Sequence, residues 1–236
     1  MHDHSSSPPA PPPGVTPAAD RALPGRDRLR RALCGAALLA ATSSTASAYT
    51  ATLNPASPLT VYLQVGVGSF TANYNVGGQP QNNATINVVS TTLASSALGN
   101  GTAQAMTTNS TAANSFLDGY LFCNVPGQLY IGGFYRTTGA ATAAAQVIAT
   151  VPAALTDATG GTIPFSKITW TSGGNGPGNA TEPFPAGAFI GGGTQNVGSM
   201  ASNTWDESCW TFSYLNNTVP PAGTFSGRVL YTLSAP

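Results

Sequence analysis

The chain has 236 residues, with eight Lys or Arg, eight Asp or Glu and two His, so its formal net charge is zero. Residues 49–236 contain no histidine, three cations and five carboxylates. This composition excludes Ser-His-Asp and Cys-His chemistry, leaves a metal site without imidazole ligands and provides no basic patch for nucleic acid. The eight charged residues of this segment are Asp118, Arg136, Asp157, Lys167, Glu182, Asp206, Glu207 and Arg228.

The first 48 residues have the composition of a leader. Residues 1–25 are rich in Pro, Ser and Ala without periodicity, which predicts a disordered extension, or else a start codon that is annotated too far upstream. Residues 26–48 have the order of a signal peptide: an arginine cluster, an apolar run too short to cross a bilayer, and Ala46-Ser47-Ala48. We therefore expect an exported chain that begins at Tyr49 and folds as one domain, residues 49–236.

The predicted mature chain has two cysteines, Cys123 and Cys209. In an oxidising compartment two thiols usually form one bridge, and the alternative is a pair of free buried thiols. A bridge here would close a loop of about 86 residues and stabilise the fold by roughly 4–5 kcal/mol. We expect the Cys123–Cys209 disulfide.

Alternation of apolar and polar residues predicts a series of short strands. Pro126-Gly127 predicts a turn between two of them, residues 95–113 and 172–193 are predicted loops, and the alanine-rich residues 140–145 fit a helix as well as a strand. Short strands separated by Gly, Asn, Ser and Pro are typical of an all-β sandwich or barrel. The predicted strands, in chain order, are residues 60–71, 84–93, 120–125, 128–137, 146–151, 163–171, 210–214 and 225–233.

The acidic and aromatic residues are the candidates for a catalytic or binding site. Asp206 and Glu207 are adjacent, so on a strand they point to opposite faces and cannot flank a sugar as a glycosidase pair does. We expect no catalytic residues, no enzyme activity, no metal and no cofactor. Trp205 lies beside these acids in a polar stretch and is the candidate platform for stacking a sugar; the alternative is that the aromatic residues fill the core or rim of the sandwich.

The last predicted strand is the clearest element of the sequence. It follows a turn at Pro220-Pro221-Ala222-Gly223 and alternates without interruption. A terminal strand with one apolar face needs a neighbour on its open edge or some protection of that edge. The residues that share the apolar face are Phe225, Gly227, Val229, Tyr231 and Leu233.

This ending resembles the last strand of chaperone–usher pilins, above all the spore-coat-U-like fimbrial subunits. The resemblance rests on Ala222-Gly223-Thr224-Phe225 and on the alternation that follows it to Tyr231. It implies an immunoglobulin-like sandwich that lacks one strand, which a periplasmic chaperone and then another copy or a related subunit would donate. The donor would be residues 49–53, which alternate briefly, or residues 60–71, unless the sandwich uses the latter as its own first strand and is self-complete.

Together these features predict an exported structural or adhesive protein of a bacterial surface or periplasm, without a membrane span. The expected partners are a chaperone and copies of the chain or related subunits. The second hypothesis is a secreted carbohydrate-binding β-sandwich module whose partners are surface glycans.

Overall fold

The computed structural model describes residues 60–73, 77–80, 87–138, 143–174 and 181–236. These residues belong to one compact unit, Thr52–Pro236. The predicted leader and residues 49–59 lie outside the described residues. Within the described ranges the strands are β1 (Thr60–Val65), β2 (Gly68–Asn73), β3 (Gly77–Pro80), β4 (Val89–Ser90), β5 (Gln104–Ala105), β6 (Thr107–Thr108), β7 (Leu129–Tyr135), β8 (Ala145–Val151), β9 (Ala154–Thr156), β10 (Thr162–Pro164), β11 (Ile168–Gly173), β12 (Gly187–Ala188), β13 (Gly193–Met200), β14 (Trp205–Tyr214) and β15 (Leu230–Ser234).

Two antiparallel sheets form the layers of the fold. The larger sheet has eight strands in the order β12-β11-β14-β7-β1-β2-β3, with β5 paired to β14 beside this path. The smaller sheet has three strands in the order β13-β8-β15. Two further pairs, β9 with β10 and β4 with β6, are short. The described part of the chain contains two short 3₁₀ turns, Ser95–Ala97 and Phe165–Lys167, and no α-helix.

The core lies between the two sheets, which confirms the prediction of an all-β sandwich. Alternation along each strand sends every second side chain inward, and the inward residues of both sheets join one cluster. Each fully buried large side chain contributes roughly 1.5–3 kcal/mol before ordering costs. The cluster includes Leu63, Leu129, Ile131, Trp210 and Phe212 from the large sheet and Val147, Ala149, Val151, Val197 and Met200 from the small one.

The predicted strand over residues 60–71 is in fact a hairpin. Gly66 adopts a φ of +60°, which favours glycine, and the chain reverses there so that β1 pairs with β2. β1 also pairs with β7 on its other side, so it is an interior strand of the large sheet. The hairpin therefore belongs to the sandwich itself.

Several other strand limits differ from the sequence-based prediction. Residues 120–125 form a loop with a single bridge at Leu121, and the final strand is limited to β15. The predicted strand over 163–171 is interrupted by the 3₁₀ turn between β10 and β11. β13 was not predicted, because its sequence is rich in glycine and small polar residues; the pairing with β8 makes it a strand.

Candidate functional site

The final strand, β15, lies at an edge of the small sheet. It pairs with β8 from Leu230 opposite Thr150 to Ser234 opposite Gln146, and among the described residues no strand pairs with its second edge. Its side chains alternate: Tyr231 and Leu233 are half-buried against the core, whereas the three others are exposed. The ring of Tyr231 lies 6.1 Å from that of Trp210.

The segment before β15 also contacts the core, although it is not a strand. Phe225 and Val229 are partly buried against the core cluster, and Ser226 forms an isolated bridge with Thr156. A Cβ on Gly227 would lie 2.6 Å from the ring of Phe165, so glycine permits the close approach there. All four large residues of the predicted apolar face thus pack inward.

The hairpin of β1 and β2 contains one of the two predicted donor segments. Of the two candidates, residues 60–71 form this hairpin, which crosses the large sheet between β7 and β3. Their removal would take out an interior strand, so they are part of the sandwich itself. The other candidate, residues 49–53, lies outside the described residues.

The disulfide between Cys123 and Cys209 is present, as predicted, with Cα atoms 5.5 Å apart. Cys209 lies on β14, but Cys123 lies in a loop and not on the strand that the sequence predicted. Both cysteines are fully buried with Tyr130 on the outer face of the large sheet. The bridge therefore fastens the loop that precedes β7 onto the sheet.

An aromatic row crosses the outer face of the large sheet on three neighbouring strands. Tyr62 on β1 lies opposite Phe134 on β7, which lies opposite Trp205 on β14. Phe116, from the loop, covers this row: its ring stacks on Tyr62 at 4.9 Å and on Trp205 at 5.7 Å. Trp205 is therefore half-buried beneath a side chain of its own chain, and its proposed role in stacking a sugar stays a prediction.

Glu207 lies next to this row on the same outer face. Its Oε2 accepts a 2.7 Å hydrogen bond from the hydroxyl of Tyr130 and a 2.9 Å hydrogen bond from Nε1 of Trp205. Burial, followed by the hydrogen bond and charge of Glu207, raises the pKa of the Tyr130 phenol, against a smaller effect of the Phe116 backbone. The carboxylate thus orients two aromatic side chains.

The loop that carries Phe116 forms a projection that we call the apolar arm, residues 114–121. An isolated bridge between Asn114 and Leu121 closes its base. Four large hydrophobic side chains of the arm are exposed: Phe116 by 62%, Leu117 by 64%, Tyr120 by 76% and Leu121 by 72%. Sequence reasoning missed the arm, although the concentration of large apolar residues between two polar stretches was a signal.

The five carboxylates of the predicted mature chain each accept hydrogen bonds within the fold. Among the described residues, no group of three His, Cys, Asp or Glu side chains is placed to hold a metal ion. The donors are the Tyr120 N–H for Asp118, Thr159 and the Gly161 N–H for Asp157, Ser208 for Glu182, the Ala201 N–H for Asp206, and Tyr130 and Trp205 for Glu207.

Comparison of the chain with protein-family models, curated proteins and solved structures gives no match. The resemblance to fimbrial subunits therefore stays a prediction that rests on the C-terminal residues. Within the described ranges, no helix has the length and apolar character needed to cross a bilayer.

Proposed function

We propose that this chain is an exported, non-enzymatic structural or adhesive subunit that assembles by addition of a β-strand at the open edge of β15. The observation that carries the proposal is the position of β15 as an edge strand whose apolar side chains lie on the core. An exposed edge presents unpaired N–H and C=O groups, which are a template for another chain. In β-strand addition these groups supply affinity, and alternate side chains supply specificity.

The packing next to this edge supports the proposal. Tyr231 and Leu233 are only half-buried, although they face the core. A strand added beside β15 would cover more of both side chains. Since residues 60–71 are part of the large sheet, the candidate donor that is left is residues 49–53, which belong to the segment 49–59 that directly precedes β1.

The disulfide supports an oxidising compartment for this assembly. Cys123 and Cys209 are 0% and 1% exposed, and a structural bridge of this kind persists outside the reducing cytosol. This agrees with the signal-peptide pattern of residues 26–48 and with partners in the periplasm or at the cell surface: a chaperone, then copies of the chain or related subunits.

A carbohydrate-binding module is the second candidate, and the aromatic row favours it. Because Phe116 stacks on Tyr62 and Trp205, a sugar could reach this row only after Phe116 moves away. Phe116→Ala should then strengthen glycan binding in an array assay, and Trp205→Ala should abolish it. Equal signals for both variants and the unaltered protein would remove this candidate.

The strand-addition proposal is tested with the N-terminal segment. The exported protein should form oligomers that resist heat, and a variant without residues 49–59 should not form them. A synthetic peptide of residues 49–59 should bind the shortened variant with a stoichiometry of one, whereas a peptide with the same composition in scrambled order should not. Heat-resistant oligomers that persist without residues 49–59 would contradict the proposed donor.

A further inference from the structure

The apolar arm, residues 114–121, is a pre-ordered projection. Its turn is closed by hydrogen bonds from the Ser115 N–H to the Tyr120 carbonyl at 2.8 Å and from the Gly119 N–H to the Ser115 carbonyl at 3.0 Å. Phe116 anchors the arm to the aromatic row, and the disulfide at Cys123 anchors the chain just after it. An exposed apolar patch on a rigid element is typical of an interaction site, because little conformational entropy is lost on binding.

The arm carries one charge, on Asp118. Its Oδ1 accepts a hydrogen bond from the Tyr120 N–H, a contact within the turn of the arm. By contrast, Glu182 and Glu207 bind side chains of other elements. A surface that receives the arm should therefore combine an apolar area with a cation, since a carboxylate that leaves water needs a charged partner. The same charge disfavours insertion of the arm into lipid.

The chain offers such a surface beside the final strand. Arg228 is exposed, and Leu230, two residues later, is a large hydrophobic side chain that is 57% exposed. Of the other two cations of residues 49–236, Lys167 already donates to the side chain of Asn217, and Arg136 follows the buried Tyr135. No exposed large hydrophobic residue of the described chain lies as close in sequence to either of them.

The arm and the Arg228–Leu230 surface lie on opposite faces of the sandwich. The arm packs on the outer face of the eight-stranded sheet through Phe116. Leu230 belongs to the three-stranded sheet and alternates with Tyr231, which faces the core, so Leu230 points away from it. One copy therefore cannot bring its own two surfaces together, and a contact between them would be head-to-tail and repeatable.

We propose that the apolar arm of one copy docks on the Arg228–Leu230 surface of a second copy, with Asp118 paired to Arg228. The inference rests on the proposed role as an assembling subunit and adds the docking surfaces that would align neighbouring copies. It does not require strand addition, because the contact uses side chains that point away from the core rather than the backbone edge of β15.

A charge-swap experiment on the exported protein tests this contact. Sedimentation velocity over a concentration series should show reversible self-association that weakens as salt screens the pair. Asp118→Arg and Arg228→Asp should each raise the dissociation constant by about tenfold, and the double variant should restore it. Asp118→Asn keeps the acceptor for the Tyr120 N–H and should also weaken association, but less than Asp118→Arg, which adds a repulsion to Arg228. Arg136→Asp, a matched charge reversal, should have no effect.

The inference is overturned by a protein that stays monomeric throughout, by a double variant no better than the single ones, or by an equal effect of Arg136→Asp. Binding of the protein to phosphatidylcholine vesicles that is lost with Leu117→Ser would assign the arm to a lipid surface and also overturn it. If heat-resistant oligomers form and Asp118→Arg does not affect them, this contact is rejected and the strand-addition proposal is retained. Salt-sensitive association without heat-resistant oligomers would support the contact and reject strand addition.

Discussion

The hydroxyl of Tyr130 on β7 donates a 2.7 Å hydrogen bond to Oε2 of Glu207 on the neighbouring strand β14. The same oxygen accepts from Nε1 of Trp205. Tyr130 is fully buried and also packs with the disulfide, so this pair connects the aromatic row to the bridged loop. The contact between Tyr130 and Glu207 was not predicted from the sequence.

We expect Tyr130→Phe to reduce the free energy of unfolding by about 1.5–3 kcal/mol, the usual range for a hydrogen bond to a charged group. Urea unfolding followed by tryptophan fluorescence measures the change. Tyr120→Phe is the matched control, because the Tyr120 side chain is exposed, and it should change stability by less than about 0.5 kcal/mol. Equal effects of the two substitutions would contradict the role of the hydrogen bond.

The same pair predicts a loss of stability at alkaline pH. Burial, followed by the hydrogen bond and charge of Glu207, raises the pKa of Tyr130 in the folded protein above the ordinary value near 10. The native state therefore holds this proton more tightly than the unfolded state. The contribution is complete below about pH 10 and is lost as the pH rises towards the folded pKa.

Thermal unfolding should be measured at stepwise increasing pH from about pH 9 upwards, because the ordinary tyrosine pKa is near 10. The melting temperature should show this decline. Tyr130→Phe should make the decline shallower without removing it, because burial also raises the pKa of the Tyr62 and Tyr231 phenols. An identical pH profile for Tyr130→Phe would show that this proton is not linked to folding.

Loss of the disulfide should destabilise the fold by about 2–5 kcal/mol. The double variant Cys123→Ser/Cys209→Ser removes the bridge without leaving an unpaired thiol, and calorimetry measures its unfolding. Peptide mapping without reductant should recover the two cysteines in one linked fragment. Two free thiols in the exported protein would contradict the buried bridge and weaken the case for export.

The face assignment of the final strand is tested by two neighbouring substitutions. Leu233→Asp places a charge against the core and should destabilise the protein by at least about 3 kcal/mol or prevent folding. Thr232→Asp makes a comparable change on the exposed side and should cost no more than about 1 kcal/mol. Soluble yield and urea unfolding measure the effects of the two substitutions. A larger loss of stability for Thr232→Asp than for Leu233→Asp would mean that the opposite face of the strand packs on the core.

Period-two alternation was the part of the fold that the sequence predicted well. It identified the all-β sandwich, the positions of β7, β8 and the second half of β14, and the inward direction of Tyr231 and Leu233. These features are local, because the alternation of apolar and polar residues within one strand is enough to predict which of its faces is buried. The disulfide followed from counting, since two cysteines allow a single intramolecular pairing.

The arm and its covered row could not be predicted, because they depend on contacts between distant residues. The contact of Phe116 with Tyr62 combines a loop residue held near the disulfide with a strand, β1, that pairs with β7. No local pattern shows that an apolar side chain in a loop will lie on the outer face of a sheet. Trp205 looked exposed in the sequence for this reason, and it is half-buried in the structure.

The hairpin at Gly66 shows a different limit. A continuous alternation from residue 60 to 71 fits one long strand as well as two short ones, and only the reversal at Gly66 decides between them. That reversal places residues 60–71 inside the large sheet and leaves residues 49–53 as the candidate donor.

The central claim is strand addition at β15, and hydrogen exchange tests it most directly. Amides of residues 230–234 should be compared between the assembled and the monomeric protein. We predict that those N–H groups of β15 that point away from β8 exchange at least about tenfold more slowly after assembly, because a new strand accepts their hydrogen bonds. Amides of β13, the opposite edge of the same sheet, serve as the internal control and should not change. Unchanged exchange in β15 together with stable assembly, or a protein that stays a heat-stable monomer, would contradict the account.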